Sequence, residues 1–242
     1  MINDSHIRVA TNAEQAAGSC AVWILGELES ALKSSNGATL AISGGSTPKL
    51  MFDAMSALPF DWSRVHLFWV DERCVPPDDP QSNYKLAKEH LIDGSNIPAG
   101  NIHRIRGEQP PEEAADEYTE EIRTVFRSAR GSLPSFDVIH RGIGDDAHTA
   151  SLFPGEPLIG DRTGIASHVY VEKLHMDRVT LLPGVLIRAK KTVLLAAGAD
   201  KAEPIANVLR GPEDPFKFPC QIAIRGADNA FWFIDESAAA RL

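Results

Sequence analysis

The residues best suited to chemistry lie in one glycine-rich loop that follows a short apolar segment. In this loop Gly142 and Gly144 flank Ile143, and His148 follows Asp146 by two positions. A neutral imidazole beside a carboxylate can accept a proton from water at neutral pH, which is what a general base requires. A histidine near an aspartate also occurs by chance. The pair by itself therefore predicts either a catalytic base or an ordinary structural contact.

A second loop combines glycines with hydroxyl side chains. Gly44, Gly45, Ser46 and Thr47 follow an apolar segment and precede Pro48, which is tolerated in the first turn of a helix. Glycines let the backbone approach a ligand closely, and the free N–H groups of a helix start attract an anion such as phosphate. The alternative is a plain glycine turn in which Ser or Thr caps the helix.

A third loop is charged. Asp71, Glu72 and Arg73 follow the apolar residues 68–70 directly, and Asn83 ends the same loop. Arg73 can bind a phosphate or a carboxylate through two nitrogens, while the two acids either hold Arg73 in place or are solvated. Asn83 either caps the next helix or donates to a ligand. A charged cluster after a strand is commonly plain surface, so both interpretations stay open.

A lysine stands in a fourth loop, where Lys201 follows Gly198, Ala199 and Asp200. We expect it at the start of a helix, where the helix dipole disfavours a cation unless an anion is bound nearby. An exposed surface lysine is the simpler explanation of the same position, and from this position alone it is preferred.

These loops can act together only if the fold brings them to one edge of a sheet. Residues Thr11–Leu32 repeat apolar side chains every three or four positions, which predicts a helix with Thr11 and Glu14 as its capping box. Other segments predict helices that begin near Ser46 or cover Asn83–Leu91, Glu112–Ala129, Ala202–Leu209 and the C-terminal turn from Glu236. Short apolar runs predict strands at Ala38–Ser43, Val65–Val70, Phe136–His140, Ser167–Val171, Val179–Leu182, Thr192–Ala197 and Phe231–Ile234.

Apolar runs that alternate with amphipathic helices are typical of an α/β protein. We predict a mostly parallel, Rossmann-like sheet with helices on both faces, in a single domain over residues 1–242 with a small extra β/loop region. In such sheets ligands bind beyond the carboxyl ends of the strands. The loops described above all follow predicted strands, so they are the expected site.

The composition excludes several classes of protein. Apolar residues make up 43% of the 242 residues and charged residues 24%, which excludes a disordered or fibrous chain. The net charge of −9 argues against a nucleic-acid-binding surface, because such surfaces need clustered Lys and Arg. A small phosphorylated substrate needs only a few local cations. The longest apolar runs are far shorter than the roughly 20 residues of a membrane helix, so we expect no membrane partner.

Two features predict a cytoplasmic protein. Residues Met1–His6 lack the basic and apolar segments of a secretory signal. Cys20, Cys74 and Cys220 are odd in number, far apart and without the paired spacing of a zinc site. We therefore expect reduced thiols and no structural zinc.

Taken in order, these segments resemble the signatures of the 6-phosphogluconolactonase family. The most specific string is His148-Thr149-Ala150-Ser151-Leu152-Phe153-Pro154. The resemblance covers most of the chain and includes residues 43–48, 69–73, 75–76, 82–84, 178–181 and 198–202, and Trp232. Several motifs in the same order make chance similarity implausible.

The resemblance implies hydrolysis of 6-phospho-D-glucono-1,5-lactone to 6-phosphogluconate, the second step of the oxidative pentose phosphate pathway, without a metal or an organic cofactor. It implies that His148 activates water and that Asp146 orients His148. Arg73 and Lys201 would bind the charged groups of the substrate, with the choice between phosphate and oxyanion left open. The remaining implied binding residues are Gly44, Gly45, Ser46, Thr47, Asp71, Asn83, Gly144 and Arg178. The protein would be a monomer or a homodimer.

Four residues depart from the family pattern. Ala147 replaces the usual glycine before the histidine, which puts a left-handed backbone there in doubt. His140 and Arg141 replace aliphatic residues at the end of a strand, where both need partners if buried. Arg141 could instead project into the pocket or toward a subunit contact. Ile187 stands where asparagine is common, so one polar contact is expected to be missing.

Two rival functions follow. An amino-sugar phosphate isomerase-deaminase shares the architecture and a similar Gly-Ser-Thr-Pro turn, although the strings at 71–73 and 148–151 favour the lactonase. A catalytically silent protein that binds sugar phosphates is the second rival, and Ala147, Arg141 and Ile187 keep it open.

Overall fold

A computed structural model describes residues 6–222, 224 and 228–242. Residues 1–5, used above to argue against a secretory signal, lie outside this part of the chain. The α-helices are α1 (Ala13–Ser34), α2 (Ser46–Ala57), α3 (Asn83–Ala87), α4 (Pro111–Phe126), α5 (Pro183–Ile187) and α6 (Ala202–Arg210). The strands are β1 (Ile7–Ala10), β2 (Ala38–Ile42), β3 (Val65–Trp69), β4 (Asp71–Arg73), β5 (Ile102–His103), β6 (Val138–Arg141), β7 (Ala166–Val171), β8 (Met176–Leu181), β9 (Lys191–Ala196) and β10 (Ala230–Asp235).

The predicted parallel sheet is confirmed. Seven of the described strands pair in the order β1-β10-β9-β6-β2-β3-β5, and every pair is parallel. Parallel strands end at the same edge, so the loops that leave β2, β3, β6 and β9 emerge side by side. These are the loops that carry the predicted site residues.

Helices cover both faces of this sheet, as predicted. Side chains alternate between the faces along a strand, so neighbours in sequence pack into different cores. On β9, Val193 and Leu195 belong to the core that contains Ile24 and Leu28 of α1. On the opposite face, apolar side chains of β9 and β10 pack with those of α6: Leu194, Ala196, Trp232, Ile234, Ile205, Val208 and Leu209.

A second, three-stranded antiparallel sheet pairs its strands in the order β4-β8-β7. The prediction that the loop begins at Asp71 was therefore wrong, because residues Asp71–Arg73 form β4. The chain crosses between the two sheets at Val70, whose N–H donates to Ile42 while its carbonyl accepts from Leu181. Three charged residues show no apolar alternation, so the sequence pattern did not predict a strand there.

The structure corrects the predicted cap of α1 and the helix predicted at the C-terminus. Asn12, and not Thr11, caps α1, because its side chain accepts from the N–H of Gln15 at 2.9 Å. Asn is as good an N-cap as Thr, so the choice depends on local geometry. The predicted C-terminal helix from Glu236 is absent from the described residues. The chain turns there instead, and the Asp235 carboxylate accepts from the N–H of Ala238 at 2.8 Å.

None of the described helices is both long enough and apolar enough to cross a membrane.

The unusual His140 and Arg141 of β6 are both fully buried. Nδ1 of His140 accepts from the N–H of Ser43 at 3.4 Å, and Nη2 of Arg141 donates to the carbonyl of Ile222 at 2.8 Å. Nε2 of His140 and both Nε and Nη1 of Arg141 have no hydrogen-bond partner among the described residues. Since Arg141 is fully buried and does not line the pocket described below, neither position expected for it, in the pocket or at a subunit contact, is correct.

Burial governs the charge of these two residues. It lowers the pKa of His140 to about 3 and also lowers the pKa of Arg141. His140 is therefore a neutral imidazole at any ordinary pH.

The buried His140 makes stability depend on pH. An unfolded histidine titrates near ~6.5. The folded state does not take up that proton until the pH approaches about 3. The unfolded state is therefore stabilised by protonation as the pH falls below the unfolded pKa, and the free energy of unfolding decreases. Between pH 7 and pH 5 we expect wild type to lose about 2 kcal/mol more unfolding free energy than His140→Leu. Urea unfolding at the two pH values measures this, and equal losses would contradict it.

Candidate active site

A pocket of about 120 Å³ opens where the ends of β2 and β6 meet the small sheet. It is lined by Ser43, Gly44, Asp71, Arg73, Asn83, Gly142, Ile143, Gly144, His148, Thr149, Ala150 and Arg178. Seven of these are predicted site residues, namely Gly44, Asp71, Arg73, Asn83, Gly144, His148 and Arg178. The structure therefore brings together side chains from loops far apart in sequence.

His148 and Asp146 form a hydrogen-bonded pair. Nδ1 of His148 lies 2.5 Å from Oδ1 of Asp146, which also accepts from the backbone N–H of His148 at 3.1 Å. Burial raises the pKa of Asp146, but the hydrogen bonds and charge of His148, with a contribution from Lys173, outweigh it and hold the pKa well below its usual range. An ionised Asp146 places the imidazole proton on Nδ1. Nε2 is then the nitrogen that can accept a proton from water.

The His148 ring is held between a glycine and an aromatic ring. A Cβ added at Gly144 would lie 2.0 Å from Nδ1 of His148, so any larger residue would collide with the imidazole. On the Phe153 side the two ring centroids are 4.1 Å apart and the planes are nearly parallel, at 24°. Gly144 is therefore required by close approach to the ring.

Ala147 adopts the left-handed backbone that its side chain disfavours, with φ of 63°. Ala150 does the same, with φ of 53°. Such a residue costs about 1 kcal/mol, and neighbouring hydrogen bonds hold it in place. The N–H of Ala147 donates to Gly144, and its carbonyl accepts from the N–H of Cys220 at 2.9 Å. Ala147 therefore adopts the left-handed backbone that its side chain put in doubt, and His148 is in contact with Asp146.

The two acids of β4 are both buried, and the binding role predicted for Asp71, which lines the pocket, stays a prediction. Glu72 is 2% exposed and accepts from the backbone N–H groups of Arg73, Asn83 and Tyr84 and from the hydroxyl of Ser82. Burial raises its pKa against the opposing effect of these hydrogen bonds. Asp71 is also buried and accepts from the Ser151 hydroxyl at 2.7 Å. The expectation that these acids are solvated or hold the Arg73 side chain was wrong, since Glu72 instead anchors the start of α3.

Asn83 connects this strand to the glycine turn. Its Nδ2 donates to the carbonyl of Asp71 at 2.9 Å. Its Oδ1 lies against Gly44, where an added Cβ would come within 2.0 Å of it. Gly44 thus lets Asn83 reach the pocket wall.

Arg73 and Arg178 form the positive side of the pocket. They are paired residues on the antiparallel strands β4 and β8, which places them side by side. Burial lowers the pKa of Arg178, and the positive charge of Arg73 lowers it further. The negative charge of Asp71, whose Oδ2 lies 3.9 Å from Nη1 of Arg178, raises the pKa and so opposes both effects. The Nε atoms of both arginines lack a hydrogen-bond partner among the described residues, although Arg73 also donates to the carbonyl of Gln81. Two adjacent guanidinium groups, each with several N–H donors in a fixed plane, suit an anion with several oxygens.

Four of the predicted binding residues do not line this pocket. Gly45, with φ of 124°, and Ser46 and Thr47 form the start of α2, next to Gly44. Lys201 lies just before α6, where its ammonium group is 2.9 Å from Asp200. Their roles in binding stay predictions.

Five of the residues that line the pocket were not predicted as site residues, namely Ser43, Gly142, Ile143, Thr149 and Ala150. Ser43 lines the pocket, and its hydroxyl is buried without a hydrogen-bond partner among the described residues. Thr149 also lines the pocket, and its hydroxyl donates to the carbonyl of Gly142 at 3.0 Å. Ser43 directly precedes Gly44, which was the available signal; Thr149 has no signal besides its place after His148.

One group of described residues could offer three ligand atoms to a metal ion. Asp145, Asp146 and His148 each place one such atom within 4.8 Å of the others. Nζ of Lys173 lies 3.4 Å from Asp145 and 3.1 Å from Asp146, so an ammonium group already provides a positive charge there.

A family model described as glucosamine-6-phosphate isomerases/6-phosphogluconolactonase matches residues 11–232. The chain belongs to this family. Among curated members, the 6-phosphogluconolactonase of Nostoc sp. is 36% identical over 220 residues, or 90% of each chain. The crystal structure of devB protein covers all of both chains with a TM-score of 0.88 and 33% identity. The 6-phosphogluconolactonase structure from Thermotoga maritima gives 0.81 and 26%, covering 95% of this chain and 99% of that one.

The requirement for glycine at position 144 can be tested through the position of the His148 ring. Gly144→Ala places a Cβ where the imidazole now lies, so we expect the ring to lose its contacts with Asp146 and Phe153. Gly142→Ala is the matched control, because no heavy atom lies within 4 Å of a Cβ added there. NMR of the His148 ring protons measures the ring-current shift from Phe153. An unchanged shift in Gly144→Ala would contradict this packing.

Proposed function

We propose that this chain is a 6-phosphogluconolactonase, which hydrolyses 6-phospho-D-glucono-1,5-lactone to 6-phosphogluconate in the pentose phosphate pathway. The observation that carries the proposal is one pocket that combines a carboxylate-held imidazole, His148, with two adjacent arginines, Arg73 and Arg178. The curated family members named for this activity support the same assignment.

His148 serves as the general base in this proposal. Nε2 removes a proton from water, and the oxygen attacks the lactone carbonyl carbon. The bond between this carbon and the ring oxygen then breaks, and the imidazolium returns the proton to the ring oxygen, which becomes a hydroxyl. One water is consumed, and the resulting carboxylic acid releases its proton to solvent to give the carboxylate. Asp146 holds the imidazole in the tautomer that leaves Nε2 free and stabilises its protonated form.

The arginine pair takes up negative charge on the substrate. The lactone carries a phosphate, and its carbonyl oxygen becomes negative during the attack, so both need donors. Arg73 and Arg178 both line the pocket and bring two guanidinium charges to it, although the chain as a whole carries a net charge of −9. Lys201 and the N–H groups at the start of α2 remain the further candidates for the phosphate. A phosphate held away from the carbonyl orients the ring without taking part in bond making.

Two alternatives keep a place beside this proposal. The family description also names glucosamine-6-phosphate isomerases, and a silent sugar-phosphate-binding protein would keep the pocket without turnover. Lactone hydrolysis, corrected for uncatalysed opening, and ammonia release from glucosamine 6-phosphate separate the three. Ammonia release with no lactone hydrolysis would favour the isomerase-deaminase. The proposal keeps the expectation of a cytoplasmic monomer or homodimer, without a cofactor, that acts on a small phosphorylated lactone.

Removal of the base should abolish most of the activity. His148→Ala is expected to lower kcat by about 10²- to 10⁴-fold, the usual contribution of a general base. Binding of 6-phosphogluconate, measured by calorimetry, should persist because the arginines remain. A wild-type protein that binds this product but opens the lactone no faster than His148→Ala would establish the silent alternative.

Replacing the guanidinium fork tests the anion site. Arg178→Lys keeps the charge but loses the paired donors, and we expect kcat/KM to fall about tenfold or more. A rise in KM alone assigns Arg178 to the phosphate, whereas a fall in kcat assigns it to the oxyanion. Unchanged kcat/KM, with thermal unfolding like that of wild type, would remove Arg178 from the proposed site.

A further inference from the structure

We propose that Lys173 is a positioning residue that holds the Asp146 carboxylate and, through it, sets the charge environment of the His148 imidazole. The inference rests on the proposed function, because it concerns the residue pair assigned to water activation. It adds a role for a residue far from the pocket motifs and outside the site predicted from the sequence.

The two oxygens of Asp146 bind two different side chains. Oδ1 faces Nδ1 of His148 at 2.5 Å, and Oδ2 accepts from Nζ of Lys173 at 3.1 Å. The same ammonium lies 3.4 Å from Oδ1 of Asp145. Asp146 is 24% exposed in its side chain, so its interactions are less screened than those of a fully solvated pair. Lys173 therefore holds the carboxylate through the oxygen that does not contact the imidazole.

The small sheet supplies this lysine. Lys173 lies in the short 3-10 helix Glu172–Leu174 that joins β7 to β8, and the strands pair continuously up to Val171 and Met176 at the turn. Arg178, on β8, faces the pocket from the same hairpin. One hairpin thus carries both the arginine that lines the pocket and the lysine that binds Asp146.

The charge of Lys173 has a defined effect on the base. A cation on Asp146 offsets part of the negative charge that would otherwise stabilise the imidazolium form of His148. The partners are ionised together, since the hydrogen bond and charge of Asp146 raise the pKa of Lys173. Loss of the ammonium should therefore raise the pKa of His148 and move the acid limb of the activity profile to higher pH.

Other charged groups also surround this pair. Arg73, Arg178 and Asp71 line the pocket with His148, while further acids share the neighbouring clefts with Asp146. Those acids are Asp145, Glu156, Glu172, Asp200 and Glu203. All of them are present in every variant compared below, so a difference between variants reports the residue at position 173.

The test compares Lys173→Met with Lys173→Arg and with Lys190→Met. Lys190 is the matched control, because it is also an exposed lysine paired with an aspartate, Asp137 at 2.7 Å. The pKa of His148 is followed by NMR of its Cε1–H group, and the pH dependence of kcat/KM for lactone hydrolysis is measured in parallel.

We expect Lys173→Met to raise the pKa of His148 and the acid limb together by about half a pH unit at low salt. Lys173→Arg should restore both, Lys190→Met should change neither, and added salt should shrink the difference. A His148 titration in Lys173→Met that matches wild type would overturn the inference, as would a shift that Lys173→Arg fails to restore.

The two proposals fail in different ways. If wild type does not hydrolyse the lactone, the proposed function fails, while the NMR titration still decides whether Lys173 sets the pKa of His148. If wild type is active and the titration does not respond to Lys173→Met, the function stands and the role of Lys173 is rejected. Thermal unfolding of each variant shows that the fold is retained.

Discussion

The hydrogen bond between His148 and Asp146 is the interaction on which the rest of the site depends. It sets the proton on Nδ1 and leaves Nε2 for chemistry. The bond exists because Gly144 leaves space for the ring and because Ala147 accepts a left-handed backbone. A short local segment thus creates the reactive pair. The contact from Cys220 to Ala147 shows that a distant segment also supports it.

A second constraint is the point at which the chain leaves the parallel sheet. Val70 bonds to both sheets, and the next three residues form a strand of the antiparallel sheet. This exit buries Glu72, which four donors from Arg73 and the start of α3 satisfy. Burying an acid without such donors would be costly. The same exit places Arg73 opposite Arg178 and so creates the anion-binding wall.

The small sheet therefore supplies positive charge at the site, although the chain as a whole is negatively charged. Arg178 and Lys173 belong to one hairpin, and Arg73 belongs to the strand paired with it. Charges carried on paired strands are held more firmly than charges on free loops. The central sheet contributes the imidazole, the glycine turn and the backbone donors, and the site forms where the two sheets meet.

The sequence by itself determined the class of fold and most of the residues in the pocket. Apolar runs with the strand period and amphipathic helices predicted the parallel sheet, and the loops after β2, β3 and β6 were recognisable because glycines and charges follow apolar strands. These features are local, so they can be read from neighbouring residues.

Only the tertiary structure decided the rest. The cap of α1, the strand at Asp71–Arg73 and the burial of Arg141 depend on contacts between distant segments. Glu72 and Arg73 are adjacent in sequence, yet one anchors a helix and the other faces the pocket, because side chains alternate across a strand. That strand forms only by pairing with β8, about a hundred residues away. Its register, which no local pattern contains, places the two arginines side by side.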